Sequence, residues 1–460
     1  MYIEQLYTSC LAEAAYYIES EGEAVIIDPL RETEPYIALA NKRNAKIKFV
    51  FETHFHADFV SGHIDLAKKA GATIVYGPNA ECGYDCYSAK DNEVFSVGKI
   101  KLKVLHTPGH TLESSCFLLI DENGKDNAVF TGDTLFVGDV GRPDLAIKSN
   151  ITIDDLAGMM YDSLNSKIIP LADDVIVYPG HGAGSSCGKN IGKETFSTIG
   201  IQKKMNYALQ PMTKREFVKA VTDGLSAPPN YFAMDAMLNK QGYENIDEVL
   251  NKNTKALSVE EFEAFSKTDV IVLDTRTPDE YETGTVPNSI NIGLNGQYAP
   301  WVGALLDATK PLLLITTEGK ETEAVLRLAR VGYENVKGIL DGGMSAWKAA
   351  GKTVQVTDSV NADEFVKRYQ NDNVLDVRKP GEWDSGVLEN AKLICLSTLQ
   401  KEMSGLDKNS HYFVHCAGGY RSMMAASILK KNGFDKITNV RGGMGKIKET
   451  GVPIVQPFIA

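Results

Sequence analysis

The sequence predicts an α/β protein, and two observations indicate this class. Over about the first 200 residues, short runs rich in β-branched and aromatic residues alternate with helical stretches. Beyond about residue 255, a strand–helix unit of about 100 residues occurs twice in succession. These patterns predict a large N-terminal α/β domain followed by two small α/β domains with parallel sheets.

Length and composition limit the possible functions before any motif is considered. A chain of 460 residues is too long for one ordinary domain, and its 43% hydrophobic and 23% charged residues suit a globular protein with ample core. No run of 18 apolar residues occurs, so we expect no membrane span. The net charge of −12 disfavours nucleic-acid binding, because a phosphate backbone requires a basic surface.

The cysteines and the N-terminus predict a reducing, cytoplasmic location. Seven cysteines spread thinly over the chain do not suggest a disulfide framework, so a special cysteine is expected to be reactive rather than bridged. The start "MYIEQLYTSC" lacks the basic region of a secretory signal. Four cysteines are interpreted as structural: Cys10, Cys82, Cys86 and Cys116.

Several strands of the first region are predicted to end at a histidine or an aspartate. Loops that follow such strands are where rigid scaffolds display chemistry. The predicted strands are "EAVIID", "IKFVFETH", "TIVYG", "IKLKVLHT", "NAVFTGD" and "DVIVYPGH". The helical stretch "TKREFVKAVTDGL", the Pro-rich break "SAPPNYF" and "NIDEVLNKNTK" then lead out of this region.

The remainder of the chain contains an internal repeat. The segment 273–294 aligns with 375–396, and "DGGMSAWKAAG" at 341–351 aligns with "RGGMGKIKETG" at 441–451. The aligned pairs of identical residues include Asp274/Asp376, Arg276/Arg378, Pro278/Pro380, Glu280/Glu382 and Gly284/Gly386. We therefore expect tandem copies of one small α/β fold.

The first region carries a set of metal-ligating residue types at the predicted strand ends. A single histidine would more often be an ordinary surface or capped residue, but several strand ends bearing histidine or aspartate beside glycine indicate a metal site. The candidates are His54, His56 and Asp58 in "THFHADFVSGH", His110 in "TPGHT", Asp133 in "FTGDTLF" and His181 in "YPGHG".

This series resembles the metallo-β-lactamase superfamily, which implies an αββα sandwich with metals at one edge. In its hydrolase branches two zinc ions are held by residues that match His54, His56, His110 and a shared Asp133. The second ion also uses the residues that match Asp58, the next position and His181. That next position is Phe59 here, and a phenyl ring has no lone pair, so we expect one metal rather than two.

The frames "THFHADFVSGH", "TPGHT", "TGDTLFVGDVGRPD" and "YPGHGAGSSCGKN" resemble the persulfide dioxygenase branch of that superfamily. The resemblance implies one Fe(II) per chain, held by His54, His110 and Asp133 as a two-histidine, one-carboxylate triad. His56, Asp58 and His181 would then orient ligands or hold water. Direct metal ligation by His56 stays the alternative.

Two residues near this set are candidates for contacting substrate. Arg142 in "GRPD" could pair with a carboxylate of the persulfide or with sulfite; the equal alternative is a structural pair with Asp144. Cys187 in "GAGSSCGKN" could relay a sulfane sulfur, or it could simply fill a tight turn.

The last repeat contains "YFVHCAGGYRSMMAASILKKNG", a strand, a six-residue loop from Cys416 to Arg421 and a helix. Gly418 and Gly419 allow backbone N–H groups to turn inward at a helix start, which favours an anionic, nucleophilic sulfur on Cys416. Arg421 would close the loop or bind an oxyanion. A buried structural cysteine is the alternative, but it leaves the glycines and the arginine unexplained.

The strand, cysteine loop and terminal "RGGM" resemble the rhodanese sulfurtransferase domain, with a departure at Ile447, where the middle copy has Trp347. The middle copy has no cysteine between residues 188 and 394, and its loop is acidic. Its glutamates are Glu318, Glu321 and Glu323. We interpret the middle copy as an inactive, rhodanese-like spacer.

The resemblance implies a persulfide dioxygenase domain at 1–250, an inactive rhodanese-like domain at 255–355 and a catalytic rhodanese domain at 357–460. The expected partners are low-molecular-weight persulfides, O₂, sulfite and thiosulfate, and a homo-oligomer is possible. One alternative is a binuclear zinc thioester hydrolase of the glyoxalase II kind, and another is a non-enzymatic sulfur carrier or sensor. The sequence does not choose the thiol that bears the persulfide, the direction of sulfur transfer or channelling between the sites.

Overall fold

The computed structural model describes residues 1–146, 151–225, 227–369 and 373–457. The chain forms two compact units. The first comprises Met1–Val249 with Leu328–Tyr333, and the second comprises Leu250–Arg327 with Glu334–Ala460. Within the described ranges, no helix is long and apolar enough to cross a bilayer.

The first unit contains two six-stranded sheets, which pack against each other. The first sheet has the spatial order β1 (Tyr2–Thr8), β2 (Glu13–Ser20), β3 (Glu23–Ile27), β4 (Lys46–Phe51), β5 (Thr73–Tyr76) and β6 (Tyr87–Ser88). The strands of the second sheet are, in chain order, β7 (Val94–Val97), β8 (Ile100–His106), β9 (Ser115–Ile120), β10 (Asp126–Gly132), β11 (Ile176–Pro179) and β12 (Ser197–Thr198).

Helices cover the outer faces of both sheets. Those of the first 253 residues are α1 (Glu34–Arg43), α2 (His63–Ala70), α3 (Ile153–Ser163), α4 (Ile199–Met205), α5 (Lys214–Thr222), α6 (Phe232–Gln241) and α7 (Ile246–Asn253). The period of two along β2 produces this layering: Tyr16 and Ile18 enter the core between the sheets, whereas Tyr17 packs in the core beneath α1 and α2. Because β2 is buried on both faces, nearly all of its residues are shielded from water.

The αββα sandwich confirms the expected fold of the first region. All six predicted strands are present, as β3, β4, β5, β8, β10 and β11. The antiparallel pair β1–β2 and strand β9 were not among the predictions. The helical stretches predicted near residues 213–225 and 245–255 are α5 and α7.

The second unit contains two parallel five-stranded sheets of identical topology. The strands of the first are β13 (Ala256–Leu257), β14 (Ile271–Asp274), β15 (Ile290–Asn291), β16 (Leu312–Ile315) and β17 (Val336–Leu340). Those of the second are β18 (Asp358–Val360), β19 (Asn373–Asp376), β21 (Lys392–Leu393), β22 (Tyr412–His415) and β23 (Ile437–Val440), while β20 (Val387–Leu388) pairs with β24 (Ile454–Val455).

The helices of the second unit also repeat. Those of the middle copy are α8 (Val259–Ser266), α9 (Pro278–Glu282), α10 (Tyr298–Leu305), α11 (Glu321–Ala329) and α12 (Gly343–Ala349). Those of the last copy are α13 (Ala362–Arg368), α14 (Pro380–Trp383), α15 (Leu399–Glu402), α16 (Tyr420–Lys431) and α17 (Gly443–Glu449).

The repeated letters have a structural reason. Arg276 and Arg378 are each held by an aspartate two residues earlier, and each donates to a glycine carbonyl, that of Gly284 or Gly386, at 2.9 Å. Each buried pair thus ties the end of its strand, β14 or β19, to the residues that follow the next short helix. The same contacts explain why the same residues recur in both copies. The tandem α/β repeat is confirmed, whereas the exact domain boundaries stay predictions.

The expectation of unbridged cysteines is wrong for one pair. Cys82 and Cys86 form a disulfide in the turn between β5 and β6, with Cα atoms 6.5 Å apart. A separation of four residues in a tight turn brings the two sulfur atoms together, and the sequence pattern alone does not reveal that turn. The free cysteines are Cys10, Cys116, Cys187, Cys395 and Cys416.

Candidate metal centre and sulfur-transfer site

The predicted metal ligands lie at one edge of the sandwich, where several strands of the two sheets end. The loop after β4 carries His54, His56 and Asp58, the loop between β8 and β9 carries His110, and Asp133 and His181 follow β10 and β11. All six side chains are buried. Buried polar groups need partners, so six such groups at one edge indicate a built site.

Three of these residues form one compact set. One ligand atom each from His54, His110 and Asp133 lies within 4.8 Å of the others, and His110 Nε2 is 3.4 Å from Asp133 Oδ2. Among the described residues, the Nε2 atoms of both histidines and both carboxylate oxygens of Asp133 have no hydrogen-bond partner. A buried carboxylate without hydrogen bonds is costly unless a cation neutralises it. The set therefore fits a metal ion.

Hydrogen bonds fix the tautomers of the histidines. His110 Nδ1 donates to the carbonyl of Arg142 at 2.8 Å, and His181 Nδ1 donates to the carbonyl of Ala12 at 3.2 Å. Because a carbonyl only accepts, Nδ1 must carry the proton in both rings, and Nε2 keeps its lone pair. Burial, followed by the charges of neighbouring histidines, lowers the pKa of His54 and keeps it in the neutral, ligating form.

Asp28 and Thr53 orient His54 in a similar way. The Thr53 hydroxyl donates to Asp28 Oδ2 at 2.8 Å, so its oxygen accepts from His54 Nδ1 at 3.0 Å. The Thr53 N–H also donates to Asp28 Oδ1 at 2.7 Å. Partners of this kind behind a metal ligand set its tautomer and ring orientation. The sequence analysis did not select Asp28, although it ends a predicted strand in the same manner as the ligands.

The other three residues form a second set. His56, Asp58 and His181 also place ligand atoms within 4.8 Å of one another. The Nε2 atom of His56 lies 3.1 Å from Asp28 Oδ1 and 3.5 Å from Glu52 Oε2. Burial opposes protonation of His56, but these carboxylates raise its pKa to about 10. The supporting role assigned to the second set stays a prediction, as does the alternative that His56 is a direct ligand.

Phe59 fills the space beside the second set. Its side chain is fully buried, and its ring centroid lies 4.4 Å from that of His56 at an interplanar angle of 34°. The buried amide of Asn239 on α6 donates to the carbonyls of His56 and Phe59, both at 2.7 Å, and accepts from the Ser61 N–H at 2.9 Å. Asn239 thus fixes the shape of the metal loop, and no local sequence pattern indicates a partner about 180 residues away.

Arg142 and Cys187 border the candidate metal site. Arg142 forms a two-point ion pair with Asp144, at 2.6 and 2.7 Å, as in the structural alternative. Cys187 is buried, and its Sγ atom lies within 4.8 Å of a ligand atom of Asp133 and of His181. Burial, followed by the charges of Asp58 and Asp133, raises the pKa of the Cys187 thiol well above its usual value. Substrate contact by either residue stays a prediction.

A cavity of about 290 Å³ opens beside the metal loop. Its lining includes Ala57, between His56 and Asp58 in the loop, and Asp144, the partner of Arg142. The lining also includes Pro228, Pro229, Asn230, Phe232, Ala233 and Ala236. The cavity is close to the lower end of the volumes found for small-molecule sites.

The Cys416 loop begins at the end of β22 and leads into α16. Cys416 is 1% exposed, and the N–H of Gly419 donates to its Sγ at 3.1 Å. Gly419 has φ of 101°, a left-handed conformation that suits glycine and turns this N–H toward the sulfur. Gly418 is exposed at the mouth of the loop. Arg421 donates to both carboxylate oxygens of Glu382 on α14, at 2.6 and 2.8 Å, and its loop-closing and oxyanion-binding roles stay predictions.

The middle copy has a loop of the same length with different chemistry. Thr316 follows β16 as Cys416 follows β22, and Glu321 begins α11 at the position that Arg421 has in the last copy. The Glu321 carboxylate accepts from the Thr316 hydroxyl at 3.3 Å and from the Gly319 N–H at 3.2 Å. The Glu321 carboxylate therefore accepts from Gly319 a hydrogen bond like the one that the sulfur of Cys416 accepts from Gly419 in the last copy.

Comparisons with known proteins agree with this architecture. The Metallo-beta-lactamase superfamily model matches residues 9–84, and the Rhodanese-like domain model matches residues 258–350 and 361–450. A metallo-beta-lactamase of known structure from Staphylococcus aureus subsp. aureus COL is 33% identical, with 74% of this chain and 98% of that chain covered and a TM-score of 0.66. This chain belongs to the metallo-beta-lactamase superfamily.

Curated relatives of the superfamily domain are named as hydrolases. The probable hydroxyacylglutathione hydrolase glo2 of Schizosaccharomyces pombe is 33% identical over 186 residues, covering 40% of this chain and 67% of the relative. The cytoplasmic hydroxyacylglutathione hydrolase of Arabidopsis thaliana is 35% identical over 177 residues, covering 37% and 65%. The chain spans about two thirds of the length of these relatives. The metallo-beta-lactamase domain is thus joined to two rhodanese-like domains.

Proposed function

We propose that the protein is an iron-dependent persulfide dioxygenase joined to a thiosulfate sulfurtransferase. The first activity would convert a low-molecular-weight persulfide, O₂ and water to sulfite and the free thiol. The observation that carries this proposal is the set His54, His110 and Asp133, which offers two neutral imidazoles and one carboxylate. Phe59, which is buried, stands where the hydrolase branches have a further ligand. Such a donor set with open positions is typical of non-haem Fe(II) oxygenases.

The residues of the metal centre have separate tasks. When bound, Fe(II) would supply the capacity to activate O₂ next to a sulfur ligand. His54 and His110 present Nε2 lone pairs because Thr53 and the Arg142 carbonyl hold their other nitrogens. Asp133 supplies the negative charge that an otherwise uncompensated cation requires. Phe59 excludes water and any further ligand from the space beside His56.

The last domain would move a sulfane sulfur. The Cys416 thiolate attacks the outer sulfur of thiosulfate, the S–S bond breaks, and sulfite leaves with the electron pair. The Gly419 N–H stabilises the negative charge on the cysteine sulfur. A thiolate then removes the transferred sulfur as a persulfide. The reverse sequence, from persulfide and sulfite to thiosulfate, uses the same residues.

Two observations favour a second candidate, a zinc thioester hydrolase. His56, Asp58 and His181 lie close enough together to hold another ion, and the curated relatives are named as hydroxyacylglutathione hydrolases. Zinc ions held by these residues would activate water for thioester hydrolysis. The two candidates differ in metal content, in oxygen uptake and in the requirement for a thioester.

An oxygen-electrode assay with metal analysis on the same sample tests the proposal. Anaerobically iron-loaded protein should consume O₂ with glutathione persulfide or coenzyme A persulfide and contain one iron per chain. Asp133→Ala should abolish oxygen uptake and preserve sulfur transfer from thiosulfate. Cys416→Ser should do the reverse. Two zinc ions per chain with thioester hydrolysis and no oxygen uptake would instead establish the hydrolase.

A further inference from the structure

The Cys416 loop rests on a turn of the middle copy. The Tyr420 hydroxyl, in the fifth of the six loop positions, donates to the carbonyl of Gly293 at 2.6 Å. A Cβ atom on Gly296 would lie 2.4 Å from Cζ of the Tyr420 ring, closer than van der Waals contact permits. Gly296 does not have a positive φ, so this contact with the ring, and not the backbone conformation, excludes a side chain there.

The turn that supports Tyr420 is itself held firmly. Arg327, a nearly buried residue of α11, donates to the carbonyl of Leu294 at 2.6 Å and to that of Gly296 at 3.0 Å. Helix α11 is the counterpart of α16, the helix that follows the Cys416 loop. The helix behind the inactive loop therefore fixes the surface against which the active loop packs.

A second contact joins the middle copy to the back of the same loop. Glu282 of α9 forms an ion pair with Arg441, whose Nε lies 3.0 Å from Glu282 Oε1. Arg441 directly precedes the turn that leads into α17. In that segment, the Met444 N–H donates to the carbonyl of Cys416 at 2.7 Å, and the Gly445 N–H donates to that of Ala417 at 3.0 Å. The middle copy thus contacts the Cys416 loop at Tyr420 and supports the segment behind Cys416.

We propose that the middle copy positions the Cys416 loop, with Tyr420 as the principal positioning residue. This inference rests on the proposed sulfur transfer and replaces the interpretation of the middle copy as a spacer. Gly419, whose N–H faces the sulfur of Cys416, is bonded directly to Tyr420, so displacement of the ring moves that N–H. Small displacements of a group that stabilises developing charge cost reactivity steeply.

Alkylation of Cys416 by iodoacetamide tests the proposal in the full-length protein, with the modified peptide quantified by mass spectrometry across pH. Gly296→Ala should slow alkylation near neutral pH by about ten- to a hundredfold and move the pH profile upward. Tyr420→Phe, which loses only the hydroxyl, should have a smaller effect in the same direction. Gly405→Ala and Tyr369→Phe are matched controls, because a Cβ atom at residue 405 meets nothing within 4 Å and Tyr369 stacks on Phe365.

A double variant separates positioning from general damage. In a Tyr420→Leu background the ring is absent, so adding Gly296→Ala should cause no further loss. Equal loss from Gly296→Ala in both backgrounds would overturn the proposal, as would an unchanged rate and pH profile in the single variant. Alkylation requires no turnover, so failure of wild-type protein to transfer sulfur would overturn only the proposed function.

Discussion

At the metal centre, the hydroxyl of Thr53 decides which nitrogen of His54 carries the proton. Its own proton goes to Asp28, so only its lone pair faces His54 Nδ1. Thr53→Val removes the hydroxyl with little change of shape and should weaken iron binding by about 10- to 100-fold. Iron retained after dialysis against graded chelator measures the effect. Thr53→Ser keeps the hydroxyl and should bind like the wild type; equal losses in both variants would contradict this account.

Phe59 is the residue that most separates one-metal from two-metal chemistry. Phe59→His would place an imidazole beside His56, Asp58 and His181, and we expect it to raise zinc content toward two ions per chain. Metal per chain, measured by mass spectrometry after zinc loading, reports the result. Phe59→Leu fills the same space without a donor atom and should stay at one ion. A second ion in the leucine variant would show that residue 59 does not control stoichiometry.

At the scale of single residues, the sequence predicts the candidate metal ligands better than the residues that hold the ligands and their loop in place. His54, His110 and Asp133 could be selected because each follows a strand, and strand ends meet at one edge of a sheet. Asn239 could not be selected, because its contacts with the metal loop depend on the packing of α6. The ion pair between Arg142 and Asp144 could be foreseen only as an alternative. The sequence shows that Asp144 is two residues away, but it does not show the geometry of the pair.

Among the elements, the two equivalent loops of the second unit, 316–321 and 416–421, have the same length but different chemistry. Both connect a buried strand to a helix with the same number of residues. The middle copy offers Gly319 N–H to the carboxylate of Glu321, whereas the last copy offers Gly419 N–H to the sulfur of Cys416. The missing cysteine and the negative charge of the middle loop predict that this loop is inactive. The sequence does not show that Glu321 accepts the hydrogen bond from the Gly319 N–H; the structure does.

Installing a cysteine in the middle loop tests this difference. In a Cys416→Ser background, Thr316→Cys should give a slowly alkylated thiol, because Glu321 repels the thiolate and competes for Gly319 N–H. Adding Glu321→Gln removes the charge and should accelerate alkylation of residue 316 about tenfold. Peptide mass spectrometry after timed exposure to iodoacetamide measures both rates. Adding Glu318→Gln instead is the matched control, and an equal gain from it would mean that overall charge, not the internal carboxylate, determines the rate.

For the whole molecule, the candidate metal site and the Cys416 loop lie in different units. The six metal-site residues and their supports lie in the first unit, and Cys416 with the turn that supports Tyr420 lies in the second. The order of the domains and the repeat were predictable, because motifs and periodicity are local properties of a chain. The assignment of Leu328–Tyr333 to the first unit was not, since it depends on packing between distant segments.

Metal removal should therefore divide the two activities. Treatment with a strong iron chelator should abolish persulfide-dependent oxygen uptake and leave thiosulfate sulfur transfer within about twofold of its initial rate, because none of the candidate metal-binding groups among the described residues includes a residue of the second unit. Oxygen-electrode and thiosulfate assays on one treated sample measure this, and Fe(II) should restore uptake. Parallel loss of both rates would contradict independent sites.

The carboxylate of Glu321 also has a consequence for ligand stoichiometry. Duplication of an anion-binding loop ordinarily doubles the number of places where a dianion such as thiosulfate can be captured. In the middle copy, the Glu321 carboxylate of the same chain already accepts the hydrogen bonds of the loop. Because it is part of the chain, it competes with an added anion at a high effective concentration. We therefore expect the two rhodanese-like domains together to saturate as a single class of binding site, so that every captured sulfur anion is delivered to the one loop that has a nucleophile.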